Sequence, residues 1–111
     1  MSKKKFGKLN WLYPIVQFLV GTNVNGKPNY ITIGLIGSLT YDTVSVSLAD
    51  FQHSNSGIRE NMTFSINQPT TALIKELDFC GSVSGRDFDK SSLFENFYGE
   101  LKTAPMINFC V

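Results

Sequence analysis

The sequence feature that most constrains the fold is a turn between two apolar, strand-like runs. Asparagine followed by glycine at positions 25–26 is typical of a tight β-hairpin, since both residues tolerate a positive φ. Successive side chains of a strand point to opposite faces, so Asn29 should share one face with Ile31, while Thr32 lies on the other. Asn29 and Thr32 would thus offer polar groups to a planar polar ligand. Turns with polar ends are more often structural than functional, so this prediction needs support from other segments.

The rest of the chain is expected to alternate short strands with short helices. Strands are predicted over residues 13–21, 30–36, 44–48, 63–67 and 106–111. Helices are predicted over residues 54–61, 69–77 and 91–97. This order indicates a mainly β protein of the α+β or barrel type. Because no repeat or linker divides the sequence, residues 1–111 are expected to form one domain.

The composition favours a packed globular domain. Hydrophobic residues make up 42% of the 111 residues and aromatic residues 13%, which argues against disorder. The net charge of +1 gives no reason to expect nucleic acid or an anionic membrane surface as a partner. The longest apolar run, residues 11–21, contains Pro14 and Gln17 and is too short to span a bilayer. We therefore expect no membrane partner.

The cysteines and the histidine do not form a recognisable metal or nucleophile site. Cys80 and Cys110 are too far apart for a metal-binding pair and too few for a disulfide framework. We expect both to be reduced, packed thiols of a cytoplasmic protein. His53 has no second His or Cys at ligand spacing and no nucleophile partner. Neither a metal site nor a hydrolase triad is predicted.

Residues 47–55 run from the end of a strand through a loop into the start of a helix. The N-terminus of a helix has free N–H groups and a partial positive potential, both of which favour phosphate. Ser47, His53, Ser54 and Asn55 add hydroxyl, imidazole and amide groups at the same place. The structural alternative is that Ser54 or Asn55 only caps the helix.

Residues 78–90 are predicted to form a loop, because they are rich in glycine and serine. Arg86 and Lys90 are its cations, and a lysine can bind phosphate as a point charge. The alternative is a surface salt bridge from Lys90 to Asp87 or Asp89. The sequence has neither a Walker-type loop nor a strand–GxGxxG–helix unit, so a nucleotide would not be held in the Rossmann manner.

Together these segments resemble the flavin reductase-like, FMN-binding split-barrel family, and specifically its flavoredoxin-type branch. The resemblance depends on the order and spacing of many short matches along almost the whole chain. The matches are Tyr13-Pro14, Val20-Gly21-Thr22, Gly26-Lys27-Pro28-Asn29 with Thr32, Val46-Ser47-Leu48, Ile58 with Glu60-Asn61, Thr63-Phe64-Ser65-Ile66-Asn67, Asp78 with Cys80-Gly81, Ser84-Gly85-Arg86, Asp89-Lys90, and Ala104-Pro105-Met106-Ile107.

The resemblance implies a six-stranded antiparallel barrel, usually dimeric, with FMN near the subunit interface. The residues that match the family's cofactor site by position fall into three groups. Those implied along the flavin ring are Asn29, Ile31, Thr32, Ile33, Gly34 and Leu35. Those implied around the phosphate and ribityl chain are Ser47, Leu48, His53, Ser54 and Asn55. Lys90 would reach the cofactor from the Ser-Gly-Arg loop.

The resemblance further implies a flavoprotein that passes electrons from NAD(P)H through FMN to an acceptor, and so an NAD(P)H-dependent flavin oxidoreductase. It assigns no residue to catalysis. Two alternatives stay open. The chain could be a shortened, non-catalytic relative that binds itself or another chain, or it could be an FMN electron carrier that another protein reduces.

Three departures from the family pattern qualify these expectations. Leu35 stands where many relatives have a tryptophan, and residues 49–52 lack the positive charge that many relatives place there. The family's domain also continues beyond the strand near Ile107, so the barrel is expected to be incomplete at its C-terminus. We therefore expect a homodimer or higher oligomer to cover an apolar set on the strands. That set is Tyr13, Ile15, Phe18, Ile31, Ile33, Val44, Val46, Phe64 and Ile66.

Overall fold

The computed structural model describes residues 2–3 and 15–111, and it shows a mainly β fold with two short helices. The predicted strand start at Tyr13-Pro14 lies outside the described residues. The strands are β1 (Phe18–Val24), β2 (Lys27–Ile33), β3 (Ile36–Ser38), β4 (Val44–Val46), β5 (Ser65–Asn67), β6 (Asn96–Phe97) and β7 (Met106–Ile107). The helices are α1 (His53–Asn61) and α2 (Ile74–Ser82), and 3₁₀ turns span Thr71–Leu73 and Lys90–Leu93.

The β1–β2 hairpin is the central element, and its turn is the one that the sequence predicts. Asn25 and Gly26 have φ angles of 53° and 78°, and Val24 pairs with Lys27 across the turn. Because the loop has only two residues, both strands reach closer to the turn than predicted. β5 pairs with the other side of β1, which leaves β2 at one edge of a three-stranded sheet in the order β2-β1-β5.

Two further antiparallel pairs, β3–β4 and β6–β7, complete the strands of the described residues. Within residues 15–111 the strand pairing gives these three separate sheets and does not close into one ring. The mainly β class with short helices is confirmed.

The two helices cover opposite faces of the hairpin. On one face α1 packs against β1, where a methyl group at Gly57 would overlap the Asn23 carbonyl and stand 2.8 Å from Val24 Cγ2. On the other face, the Thr32 hydroxyl of β2 donates a hydrogen bond to the Leu77 carbonyl of α2. The edge of β2 therefore lies between the two helices.

The core lies on the α2 side of the hairpin. Its buried members are Leu19, Tyr30, Cys80, Phe94 and Ile107. The rings of Tyr30 and Phe94 meet edge to face with their centroids 5.0 Å apart, a favoured aromatic geometry. The Tyr30 hydroxyl donates a hydrogen bond to the Asn96 side chain, which joins the core to β6.

The apolar set that is expected to need a cover lies mostly outside this core. Within the described residues only Ile33 of that set is buried, while Ile15 and Val44 are exposed. The reason is side-chain alternation: Leu19 and Tyr30 point toward α2 and fill the core, whereas several members of the set occupy the opposite face. The half-buried members are Phe18, Ile31, Val46, Phe64 and Ile66.

The helices differ from their predictions in three places: the cap of α1, the end of α2, and the start of α2, which is Ile74 after a 3₁₀ turn and not residue 69. Gln52, not Ser54 or Asn55, is the N-cap residue of α1, and its side-chain oxygen instead accepts a hydrogen bond from the Ala49 N–H at 2.8 Å. Helix α2 continues to Ser82, although residues 78–82 were expected in a loop. Burial of Cys80 and an edge-to-face contact of Phe79 with Phe88 outweigh the poor helix propensity of the glycine at position 81.

The predicted helix over residues 91–97 is a 3₁₀ turn followed by β6. The turn starts after Asp89, whose carboxylate accepts hydrogen bonds from the N–H and the hydroxyl of Ser91 at 3.0 and 2.6 Å. Cys80 and Cys110 are both free thiols. No helix in the described part of the chain is long and apolar enough to cross a membrane.

Candidate functional site

Two adjoining cavities follow the edge of β2. The smaller, of about 210 Å³, lies between the middle of β2, the start of α1 and the end of α2. The larger, of about 440 Å³, lies between the β1–β2 turn and residues 85–90. The two cavities share a wall made of Asn29, His53, Gly85, Arg86 and Lys90.

Asn29 and Ser54 connect β2 to the first turn of α1. The Asn29 Nδ2 group donates a hydrogen bond to Ser54 Oγ at 2.7 Å, and both side chains are buried. The role of helix cap that was considered for Ser54 is therefore not found. Ser54 serves as a buried acceptor that holds Asn29 in place, which leaves Asn29 Oδ1 and a second amide hydrogen for other partners.

Gly85 closes the wall between the cavities. A methyl group at this position would overlap Asn29 Oδ1 and stand 2.7 Å from His53 Cδ2. Both distances are too short for a real side chain, so a substitution would push the loop away from the wall. Glycine lets the backbone of the loop pack directly on Asn29 and His53.

The end of α2 approaches β2 closely at the smaller cavity. A methyl group at Gly81 would stand 3.3 Å from Thr32 Cβ, and the Thr32 hydroxyl already donates to the Leu77 carbonyl. The hydroxyl oxygen of Thr32 can still accept a hydrogen bond. Ile31 lines the same cavity and supplies an apolar surface beside these polar groups.

Lys90 is a buried cation with two backbone partners. Its Nζ donates hydrogen bonds to the Tyr30 carbonyl at 3.1 Å and to the Cys80 carbonyl at 3.0 Å, and the residue is only 2% exposed. Burial lowers the pKa of the Lys90 ammonium and raises the pKa of the Cys80 thiol to about 11. The alternative prediction for Lys90, a surface salt bridge with Asp87 or Asp89, is wrong.

Two positively charged residues lie near His53. Its pKa is lowered first by burial and then by the positive charges of Arg86 and Lys90. The first turn of α1 has no acidic residue, and no side-chain oxygen caps it. The Asn55 N–H donates to the Gln52 carbonyl at 3.0 Å, while the N–H groups of His53 and Ser54 have no backbone partner within the described residues. These two groups and the positive potential of the helix end are therefore available to an anion.

The structure brings half of the predicted cofactor residues to one place. The residues that line the smaller cavity are Asn29, Ile31, Thr32, His53, Ser54 and Lys90. The predicted residues that lie outside both cavities are Ile33, Gly34, Leu35, Ser47, Leu48 and Asn55. A cofactor role for any of these residues stays a prediction.

The residues outside the cavities have other contacts. A methyl group at Gly34 would stand 3.0 Å from Ile15 Cγ2, so the close approach expected at this glycine comes from Ile15. The Ser47 N–H donates to the Leu35 carbonyl at 2.9 Å, which extends the β3–β4 pairing. The Asn55 amide donates to the Ala49 carbonyl at 3.3 Å and holds the loop before α1.

Several lining residues were not predicted as site residues. Phe51 and Gln52 line the smaller cavity from the loop before α1, and Gly81, Gly85 and Arg86 line it from the other side. Gly81 and Gly85 could have been predicted from the sequence, because two glycines four residues apart in a Gly/Ser-rich stretch suggest close packing of the backbone. For Arg86 the sequence indicates only that it is a cation of the loop.

The two hydrogen bonds of Lys90 provide a test of the site's framework. Replacing Lys90 by methionine would leave the carbonyls of Tyr30 and Cys80 without their partner inside the protein. We expect the free energy of unfolding to fall by about 2–3 kcal/mol, measured by urea denaturation. The matched control is Lys102→Met, because Lys102 is exposed and should change stability by less than about 0.5 kcal/mol. Equal effects of the two substitutions would contradict the role of Lys90.

Comparison with known proteins gives a consistent result at the level of structure. No model of a protein family matches the sequence, and no curated protein matches it. Solved structures do match. Flavoredoxin from Methanosarcina acetivorans is 41% identical with a TM-score of 0.94, and the match covers 100% of this chain and 61% of that protein.

Two other structures support the same assignment. Flavoredoxin of Desulfovibrio vulgaris (Miyazaki F) is 30% identical with a TM-score of 0.88, over 96% of this chain and 61% of that one. The FMN-binding protein from Thermus thermophilus with bound 1-cyclohex-2-enone is 23% identical with a TM-score of 0.82, over 99% of this chain and 64% of that one, which shows a shared fold.

This chain therefore spans less than two thirds of the length of each of these proteins. The resemblance found in the sequence is confirmed: the chain has the fold of the flavin reductase-like, FMN-binding split barrels, and it is similar to flavoredoxins in particular.

Proposed function

We propose that the chain binds FMN along the edge of β2. The flavin ring would lie in the smaller cavity against residues 29–32, and the phosphate would lie near His53 and Ser54 at the start of α1. The observation that carries this proposal is the convergence of residues from three separate segments, Asn29, His53 and Lys90 among them, on one cavity.

The chemistry of the lining groups fits such a ligand. Asn29 keeps an oxygen and an amide hydrogen for the polar edge of a ring, while Ile31 offers an apolar surface to its face. The unpaired N–H groups at the start of α1 suit a phosphate. The glycines at positions 81 and 85 let the backbone come close to the ligand.

The size of the cavities also fits. Cavities that bind small molecules usually measure about 300–1,000 Å³, so the smaller cavity alone is below that range and the larger is within it. A ligand that extends from one cavity past His53 into the other would have sufficient room. FMN has this elongated shape, with a ring at one end and a phosphate at the other.

FMN, when bound, supplies the ability to accept a hydride equivalent and pass electrons on. The residues of this chain would hold its ring against β2, keep its phosphate beside positive charge and limit the access of water. We propose NAD(P)H as the reductant and a small molecule or protein as the acceptor, which makes the chain part of an NAD(P)H-dependent flavin oxidoreductase. The free thiols of Cys80 and Cys110 support a cytoplasmic location.

FMN binding is tested by titrating the purified chain into FMN and following flavin fluorescence. We expect saturable quenching, and we expect Asn29→Ala to weaken binding by about tenfold because it removes a polar contact at the ring edge. Asn108→Ala is the matched control, since Asn108 lies outside both cavities and is not among the implied cofactor residues, so the variant should bind FMN like the wild type. Circular dichroism of each variant checks that it is folded. Absence of quenching with the wild-type chain would contradict FMN binding.

The reductant is tested separately, with FMN-loaded protein, an artificial acceptor and either NADH or NADPH. Oxidation of one of these nucleotides supports the oxidoreductase. Bound FMN without oxidation of either would favour the alternative, an electron carrier that another protein reduces.

We also propose that the chain forms a homodimer. The segment from the end of β2 through the β3–β4 hairpin exposes large apolar side chains: Leu35 and Leu39 are each 67% exposed, and Val44 is 42% exposed. A group of exposed apolar side chains of this kind often marks an interface between proteins. The partner that covers these side chains would be a second copy of the chain, as the hypothesis of self-association predicts.

Sedimentation velocity over a range of concentrations tests the dimer. We expect the wild-type chain to sediment as a dimer, and Leu39→Lys to shift it toward the monomer because the substitution places a charge in the apolar group. Lys102→Glu, at an exposed position outside the β3–β4 hairpin, should leave the dimer unchanged. A wild-type monomer at every concentration would contradict self-association.

A further inference from the structure

We propose that Arg86 binds the phosphate of the flavin nucleotide and so supplies the positive charge that residues 49–52 lack. This inference rests on the proposed FMN function and names a residue and a ligand group for it. The ligand class is a phosphate monoester at the end of an elongated, otherwise uncharged molecule. The positive charge would then come from the loop after α2, and not from the loop before α1.

The position of Arg86 supports this role. Its side chain lines both cavities, at the wall where His53 and Gly85 separate them. The loop is held there at two points: Gly85 packs on the wall, and the Arg86 N–H donates to Ser84 Oγ at 3.2 Å. The backbone of Arg86 is thus fixed beside the start of α1, while the residue as a whole is exposed.

The guanidinium of Arg86 is also the cation with the most free donors at this wall. Lys90 donates two of its three hydrogens to backbone carbonyls. Within residues 15–111 Arg86 takes part in no ion pair, since the salt bridge found there joins Arg59 to Asp50. A guanidinium can bind two phosphate oxygens at once, which makes it well suited to a phosphate monoester.

The other charged groups of the larger cavity lie on the same loop or on the hairpin turn. Asp87 and Asp89 are acidic, and Lys27 is basic. The carboxylate of Asp89 already accepts two hydrogen bonds from Ser91. The pKa of His53 is lowered first by burial and then by the positive charges of Arg86 and Lys90, which lie near the start of α1, where the phosphate would lie.

The test compares FMN with riboflavin, which has the same ring and ribityl chain but no phosphate. Each is titrated by fluorescence against the wild-type chain, Arg86→Gln and Arg59→Gln at low and at physiological salt. Arg59 is the matched control, because it is exposed and pairs with Asp50 outside both cavities. A second readout is the pKa of His53 by NMR in each ligand-free protein.

We expect the wild-type chain to bind FMN more tightly than riboflavin. Arg86→Gln should weaken FMN binding by about five- to tenfold and change riboflavin binding by less than about twofold. It should also raise the pKa of His53, which a change in loop shape alone need not do. Arg59→Gln should match the wild type with both flavins.

Three results would overturn the inference while leaving flavin binding intact. They are equal affinity of the wild-type chain for FMN and riboflavin, equal loss of both affinities in Arg86→Gln, and no loss of either in that variant. If the wild-type chain binds neither flavin, the proposed FMN function fails and this inference fails with it.

Discussion

The buried ammonium of Lys90 is the interaction on which the arrangement of the site depends. It joins a carbonyl at the free edge of β2 to a carbonyl near the end of α2, through hydrogen bonds of 3.1 and 3.0 Å. A buried charge is costly unless it is well paired. The Cys80 carbonyl, near the negative end of a helix dipole, and the Tyr30 carbonyl, on an edge strand, are two groups that benefit from a cation.

From this contact the positions of the other parts follow. Strand β2 is held at its edge, α2 is held at its last turn, and the loop that carries Gly85 and Arg86 must run between them. On the opposite face of the hairpin, the hydrogen bond of Asn29 with Ser54 sets the position of α1. The cavities are the space that remains between these three elements. Because the same polar groups fix the fold and line the cavities, a ligand would meet a surface that is already ordered.

The local parts of the fold could be predicted from the sequence, because local chemistry determines them. The Asn25-Gly26 turn sets the register of the hairpin, and alternation along β2 correctly places Asn29 and Thr32 on opposite faces.

Features that depend on contacts between distant segments could not be predicted in the same way. The extension of α2 through Ser82 needs the burial of Cys80, which becomes visible only once the core is known. The role of Ser54 as a buried hydrogen-bond acceptor depends on Asn29, 25 residues earlier in the chain. The apolar pattern alone does not tell which face of the sheet α2 covers, and several members of the apolar set lie on the other face.

The account's central claim is that a flavin lies between the two helices along the edge of β2. Backbone amide shifts in a two-dimensional NMR titration with FMN test it most directly, because they report each segment separately. The account predicts the largest shifts at residues 29–32, 53–54 and 81–86. Shifts confined to residues 33–35 and 47–48, with none along the β2 edge, would place the flavin elsewhere and contradict the claim.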